Sequence, residues 1–259
     1  MASGLLGVGG GFLMVPLQYF LLSSVGVGSD LALMISFGTS LAIIIPTALS
    51  GAYIHSKKLK NILEPGITLG IFGMIGGVFG AIVSSYLPGS ILTKIFGVFL
   101  IFIAFFILFE DDYSGRFKRI KISTKIGAII GVLIGFSSGL LGLGGGIFVI
   151  PVLVFLLDYS MREAIGISTI FISLTAVGGM VSYILTGWGV NTLPFSIGYI
   201  NLINLAIIAI FAVLFANIGA KLAYKLPERR LKQVFALVMI YIGIRVLGLD
   251  LISFIVGLA

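Results

Sequence analysis

A run of three glycines inside an apolar segment occurs twice in this chain, and the repetition limits the possible folds more than any other feature. Ser3-Gly4-Leu5-Leu6-Gly7-Val8-Gly9-Gly10-Gly11 leads to Pro16, and Ser138-Gly139-Leu140-Leu141-Gly142-Leu143-Gly144-Gly145-Gly146 leads to Pro151. The copies lie 135 residues apart, and nine of their fourteen aligned positions are identical. Each glycine weakens a helix by about 1 kcal/mol relative to alanine, so a helix through either copy is expected to break. In lipid, a broken backbone is tolerated only where protein surrounds it or where it lines a cavity. The two copies are therefore the first place to look for a site.

The surrounding segments explain why lipid is the relevant solvent. The chain is 59% hydrophobic and 10% charged, with a mean hydropathy of +1.24, against about 25% charged residues in soluble domains. Apolar runs recur from end to end and leave no room for a separate soluble domain. There is no cysteine and a single histidine, His55, which excludes disulfides, thiolate chemistry and multi-histidine metal centres. No cofactor is expected. The net charge of +7 is explained by basic loops beside a membrane, and no nucleic-acid partner is expected. The N-terminus lacks the charged region and cleavage site of a signal peptide. The first glycine copy has almost no apolar lead-in, so either it is half an element or the numbered start falls inside the natural protein.

Spanning a bilayer takes about 20 apolar residues, which divides the chain into segments. After the first copy, a helix is expected over 31–53, rich in small hydroxyls at Ser36, Thr39, Ser40, Thr47 and Ser50. The run 65–87 carries Gly70, Gly73, Gly76, Gly77 and Gly80, a stripe suited to close helix packing. A phenylalanine-rich span at 91–109 is expected to face lipid. Residues 111–125 form a basic linker between a first repeat (1–110) and a second (126–259). The second glycine element spans 126–157, and a helix over 164–185 repeats the hydroxyl pattern with Ser168, Thr169, Ser173 and Thr175. Two long segments follow, 195–226 and 231–257. Gly80-Ala81 with Leu87-Pro88 matches Gly219-Ala220 with Leu226-Pro227, so the duplication covers most of the chain.

Charge decides how the halves face. If each glycine element crossed the membrane once, the basic loops at 116–125 and 221–232 would lie on opposite sides, against the positive-inside rule. If the second element dips in and returns, 14 of the 16 Lys/Arg fall on one side, leaving Lys94 and Arg245. The fold class expected is an all-α polytopic membrane protein. It has two inverted-topology repeats of about four helical elements each, and the first element of each is broken by glycine, re-entrant or discontinuous. The loops at 55–64, 111–125 and 221–232 are then cytoplasmic, in the cell membrane.

A helix restarting after each glycine run presents unpaired N–H groups and the positive end of its dipole, an anion site. Inverted repeats bring two such starts together near the bilayer midplane. The candidate substrate-binding residues are Gly9, Gly10, Gly11, Gly144, Gly145 and Gly146, with neutral donors from Ser36, Thr39, Ser40, Ser168, Thr169 and Ser173. The bland alternative is that the glycines only permit tight packing; two matched runs, each followed by a hydroxyl-bearing helix, favour the site.

The paired G-L-L-G-x-G-G-G-(x)4-P motifs, the hydroxyl-rich helix after each and the two-half layout resemble the TauE/SafE family of sulfite and organosulfonate exporters over essentially the whole chain. The resemblance implies a permease for a small sulfur-containing anion such as sulfite, sulfoacetate or another organosulfonate, and no enzymatic activity. An inside-negative potential drives anions outward by about 2.3 kcal/mol per charge per 100 mV, so export needs no coupling ion. The acidic residues fall near segment ends or in loops, which leaves a carboxylate proton relay without obvious members. A proton riding on the substrate itself leaves no trace in a sequence.

Weaker signals point elsewhere. Gly135-Phe136-Ser137-Ser138-Gly139 fits G-x-S-x-G, which with His55 raises an intramembrane serine hydrolase, but that motif needs a strand-to-helix elbow. Gly142-x-Gly144 lacks the preceding strand of a dinucleotide fingerprint. Asn201, Asn204 and Asn217 either line a pathway or bond between helices. Arg245 is expected to snorkel to the interface, Trp188 to anchor at it, and His55 to sit on a solvated face beside three lysines. A non-transporting scaffold or lipid-interaction protein is the other alternative, and a homo-oligomer stays open. Because the chain lacks cysteine, single cysteines at Ser56 and Asn191 should label from opposite faces of the membrane; labelling from the same face would sink the inverted arrangement.

Overall fold

The computed structural model describes residues 10–59, 61–109, 122–190 and 193–223, with positions 233, 236, 237, 239–241, 243, 244 and 247. The expectations for residues 3–9, most of the 111–125 linker, the 224–232 part of the last basic loop, Asn191 and Arg245 lie outside the described residues. The elements are α1 (Gly11–Ser24), α2 (Ser29–Lys58), α3 (Leu63–Tyr86), α4 (Gly89–Phe109), α5 (Thr124–Leu141), α6 (Gly146–Pro151), α7 (Met161–Thr186) and α8 (Leu202–Ala223). Among the described residues, α2, α3, α5 and α7 are long and apolar enough to cross a membrane.

Two of these helices lie inside and two outside. The most apolar windows of α2 and α7 are 83% and 78% buried, whereas those of α3 and α5 are each 44% buried. The outward side of α3 is an apolar stripe, Ile67, Ile71, Ile75, Phe79 and Val83, at the four-residue spacing that keeps side chains on one helix face. In water that stripe would be a liability; in lipid it is the expected surface. The core that α2 and α7 share includes Ile35, Phe37, Leu41, Phe171 and Ile172, all essentially inaccessible.

Local chemistry sets several boundaries. Ser160 caps α7 through a reciprocal pair: the Glu163 N–H donates to Ser160 Oγ at 3.3 Å, and the Ser160 N–H donates to Glu163 Oε2 at 3.2 Å. This is the Ser-x-x-Glu capping box, which satisfies two otherwise orphaned donors. Pro151 has no N–H to give to α6, and beyond it the helix continues as a wider π turn over Val152–Leu156, a common adjustment where the regular ladder is interrupted.

Two sequence expectations are corrected. The segment expected to be helical from 195 opens instead with a two-residue antiparallel ladder, β1 (Ser196–Ile197) and β2 (Ile200–Asn201). Pro194 lacks a donor and Gly198 takes φ +55°, so the chain turns before α8 begins. Asn201 then caps α8, its Oδ1 accepting from the Asn204 N–H at 3.0 Å. His55 is 1% exposed rather than solvated, because the last turns of α2 pack on α7 at Gly166. Its three lysine neighbours misled the sequence reading, since only the helix face decides which of four consecutive residues turns inward.

Among the described residues, the tightest packing joins α3 to α5. A methyl group on Gly135 would collide with the Gly73 carbonyl oxygen, one on Gly139 with that of Gly77, and one on Gly80 with that of Phe136. Backbone lies on backbone, the arrangement that small residues at four-residue spacing allow in membranes. Gly73 and Gly77 also face α7, at Phe171 and Thr175, so α3 clamps α5 and α7 together. Overpacking of this kind costs about 1–3 kcal/mol or more. Gly135→Leu should therefore lower the thermal midpoint in detergent, while Ile129→Leu on the exposed side of α5 should leave it unchanged.

Candidate functional site

The helical run of α5 stops at Leu141 and resumes at Gly146. Between them Gly142, Gly144 and Gly145 take φ of +64°, +75° and +85°, a region that side chains other than glycine enter at a cost of about 1–2 kcal/mol. All residues from 141 to 150 are buried, so the backbone groups freed by the interruption need protein partners. The Ser138 carbonyl accepts from the Gly142 and Leu143 N–H groups. The Gly142 carbonyl accepts from Ser40 Oγ on α2 at 2.5 Å, a contact across 102 residues. One turn earlier, Tyr183 Oη on α7 donates to the Gly139 carbonyl at 2.9 Å.

The first glycine copy meets the second here. Gly10 has φ +81° and ψ −2° and Gly145 has φ +85° and ψ −2°, so α1 and α6 begin from the same backbone conformation at equivalent positions. A methyl carbon on Gly11 would lie 3.0 Å from both the Cα and the carbonyl oxygen of Leu143. The second copy is held between the two inner helices. Methyl carbons there would press on Phe37 of α2 from Gly142, on Ile44 of α2 and Ile172 of α7 from Gly144, and on Phe171 of α7 from Gly145.

The twelve residues singled out from the sequence do not all converge. Gly10, Gly11, Gly144, Gly145, Gly146 and Ser40 belong to this junction, and Gly9 lies outside the described residues. Thr39 faces the β1–β2 turn, where its Oγ1 accepts from the Asn201 N–H at 3.0 Å. Thr169 packs against Gly51 of α2, eleven residues from Ser40 and hence about 16 Å along the helix. Ser36 Oγ donates to the Ala32 carbonyl, Ser168 Oγ to Ile165, Thr169 Oγ1 to Gly166 and Ser173 Oγ to Ile170, all at 2.7–2.8 Å. A hydroxyl whose proton is committed to its own helix presents lone pairs outward, so as they stand these four offer an anion no donor.

Three residues that the sequence reading left out of the site carry buried polar atoms without hydrogen-bond partners among the described residues: Gln18 at both amide atoms, Ser138 at Oγ and Thr175 at Oγ1. Gln18 is the one amide in α1 and is fully buried; its rarity in an apolar helix was the available signal. Ser138 was visible only as part of G-x-S-x-G, and Thr175 only as part of the hydroxyl pattern. In the sequence nothing separates a serine that bonds back to its own helix from one that does not.

Comparison with known proteins gives the family. Residues 1–246 match the family described as Sulfite exporter TauE/SafE. The chain is 31% identical over 242 residues to "Probable membrane transporter protein MJ0441" of Methanocaldococcus jannaschii, covering 93% of this chain and 88% of that one. It is 34% identical over 253 residues to a "Probable membrane transporter protein" of Haemophilus influenzae, covering 93% and 91%. Identity to "Probable membrane transporter protein YunE" of Bacillus subtilis is 25% over 257 residues, covering 92% and 90%. No solved structure matches. With a family match across nearly its whole length and full-length relatives above 30% identity, the chain belongs to the TauE/SafE family.

Proposed function

We propose that this chain is a membrane permease, not an enzyme, that exports a small sulfur-containing oxyanion such as sulfite, sulfoacetate or another organosulfonate. The anion is held where the two glycine stretches meet. The observation that carries the reading is the approach of Gly11 to the Leu143 backbone, which joins copies 135 residues apart at one buried point. The family description and the names of the relatives support transport. The matched conformations of Gly10 and Gly145 support two related halves with glycine-broken first elements.

In this reading the helical runs beginning at Gly11 and Gly146 turn their unpaired N–H groups toward a common space, and their dipoles favour negative charge there. Export down the inside-negative potential needs no partner ion. The basic loops at 55–64, 111–125 and 221–232 face the cytoplasm of a cell membrane, where positive charge is retained.

Reconstituted protein should pass labelled sulfite or sulfonate into liposomes when the potential favours it, and a protein that moved none of sulfite, sulfoacetate, thiosulfate or sulfate would not be this permease. A scaffold gives no flux, and a hydrolase gives product without flux. Gly145→Ala should cut flux at least tenfold: the new methyl meets Phe171 Cε1 at 2.8 Å, and φ +85° disfavours any side chain by about 1–2 kcal/mol.

A further inference from the structure

Buried hydroxyls on membrane helices ordinarily return their proton to a carbonyl one turn back, and Ser36, Thr47, Ser168, Thr169 and Ser173 all do so. Ser138 and Thr175 do not, although they are 0% and 1% exposed. Leaving a buried hydroxyl unpaired costs about 1–3 kcal/mol, and the usual partner stands one turn away on the same helix. Neither takes that partner, and both lie near one ring. A methyl carbon on Gly145 would be 2.8 Å from Phe171 Cε1 and 3.3 Å from Ser138 Oγ; one on Gly73 would touch Phe171 Cε2 and lie 2.5 Å from Thr175 Oγ1. The Phe171 ring, itself inaccessible, thus separates two unpaired hydroxyls, with glycine on either side of it.

The segments around this pair carry no charge. Residues 65–93, 126–157 and 164–220, which include the parts of α3, α5, α6 and α7 that surround it, contain no Asp, Glu, Lys, Arg or His. Two hydroxyl donors and neighbouring backbone can offset one negative charge through charge-assisted hydrogen bonds. A second charge would remain uncompensated, and an unpaired ion in a dry interior costs several kcal/mol even after relaxation.

Resting on the transport reading above, we infer that Ser138 and Thr175, set on either side of the Phe171 ring, form a ligand-contacting pair that takes a singly charged oxyanion. For an anion that ionises twice, such as sulfite or sulfoacetate, the carried species is the protonated, singly charged form, so the proton travels with the substrate. The pair is reserved for the ligand and contributes nothing to stability.

The test uses the full chain in proteoliposomes with three labelled probes across pH 6–8. Methanesulfonate, singly charged throughout, should be carried at a constant rate. Sulfite flux should fall several-fold as pH rises and the dianion takes over, and sulfate should not be carried. Ser138→Ala and Thr175→Val should each raise the half-saturating methanesulfonate concentration about tenfold, the loss of one hydrogen bond to a charged group. Both variants should melt in detergent at or above the wild-type temperature, because each removes an unpaired buried polar atom. Ser137→Ala, whose hydroxyl bonds to the Leu133 carbonyl, should leave half-saturation unchanged. Sulfate carried as readily as methanesulfonate, or wild-type half-saturation in both hydroxyl variants, overturns this inference and leaves the transport reading standing. Wild-type protein that passes no anion removes both.

Discussion

A helix interrupted inside a bilayer frees backbone donors and acceptors where no water can reach them, and the rest of this structure depends on how those groups are paired. The interruption between Leu141 and Gly146 is stabilised from three directions. The Ser138 carbonyl turns the chain back on itself, Ser40 reaches across from α2 to the Gly142 carbonyl, and Tyr183 reaches from α7 to the Gly139 carbonyl. Each bond joins the break to a different element. The two inner helices are therefore tied to the break and to the turn before it.

Close approach is what brings these donors within reach. Glycines along α3 and α5 let the two backbones touch, and α3 in turn lies on α7 at Phe171 and Thr175. Had either helix carried leucines at those positions, the axes would be pushed apart by several ångströms and Tyr183 would not reach Gly139. The small-residue stripes and the glycine breaks are thus two parts of one arrangement. The stripes set the spacing, and the breaks use it.

Much of the architecture was legible in advance because lipid imposes simple rules. Apolar length predicted α2, α3, α5 and α7, and the glycine runs predicted where α1 and α6 begin. The failures are equally physical. The hairpin before α8 was missed because two-residue strands have no periodicity to detect. His55 was misplaced because the lysines that follow it outweighed the helix face it occupies. Among the hydroxyls, geometry was not legible: Ser168, Thr169 and Ser173 give their protons to their own helix, while Ser138 and Thr175 keep theirs.

The sequence by itself determined the solvent, the duplication, the family and the glycine positions at which regular helix had to stop, since each depends on composition, spacing or local conformational cost. Only the tertiary structure decided that Gly11 meets Leu143, that Thr169 lies about three helical turns away from Ser40's level, and that Phe171 stands between two unpaired hydroxyls. Those are facts about which side chains face each other across helices far apart in the chain. A hydroxyl can satisfy itself locally or wait for a partner with almost the same local energy, and the choice is made by the packing around it.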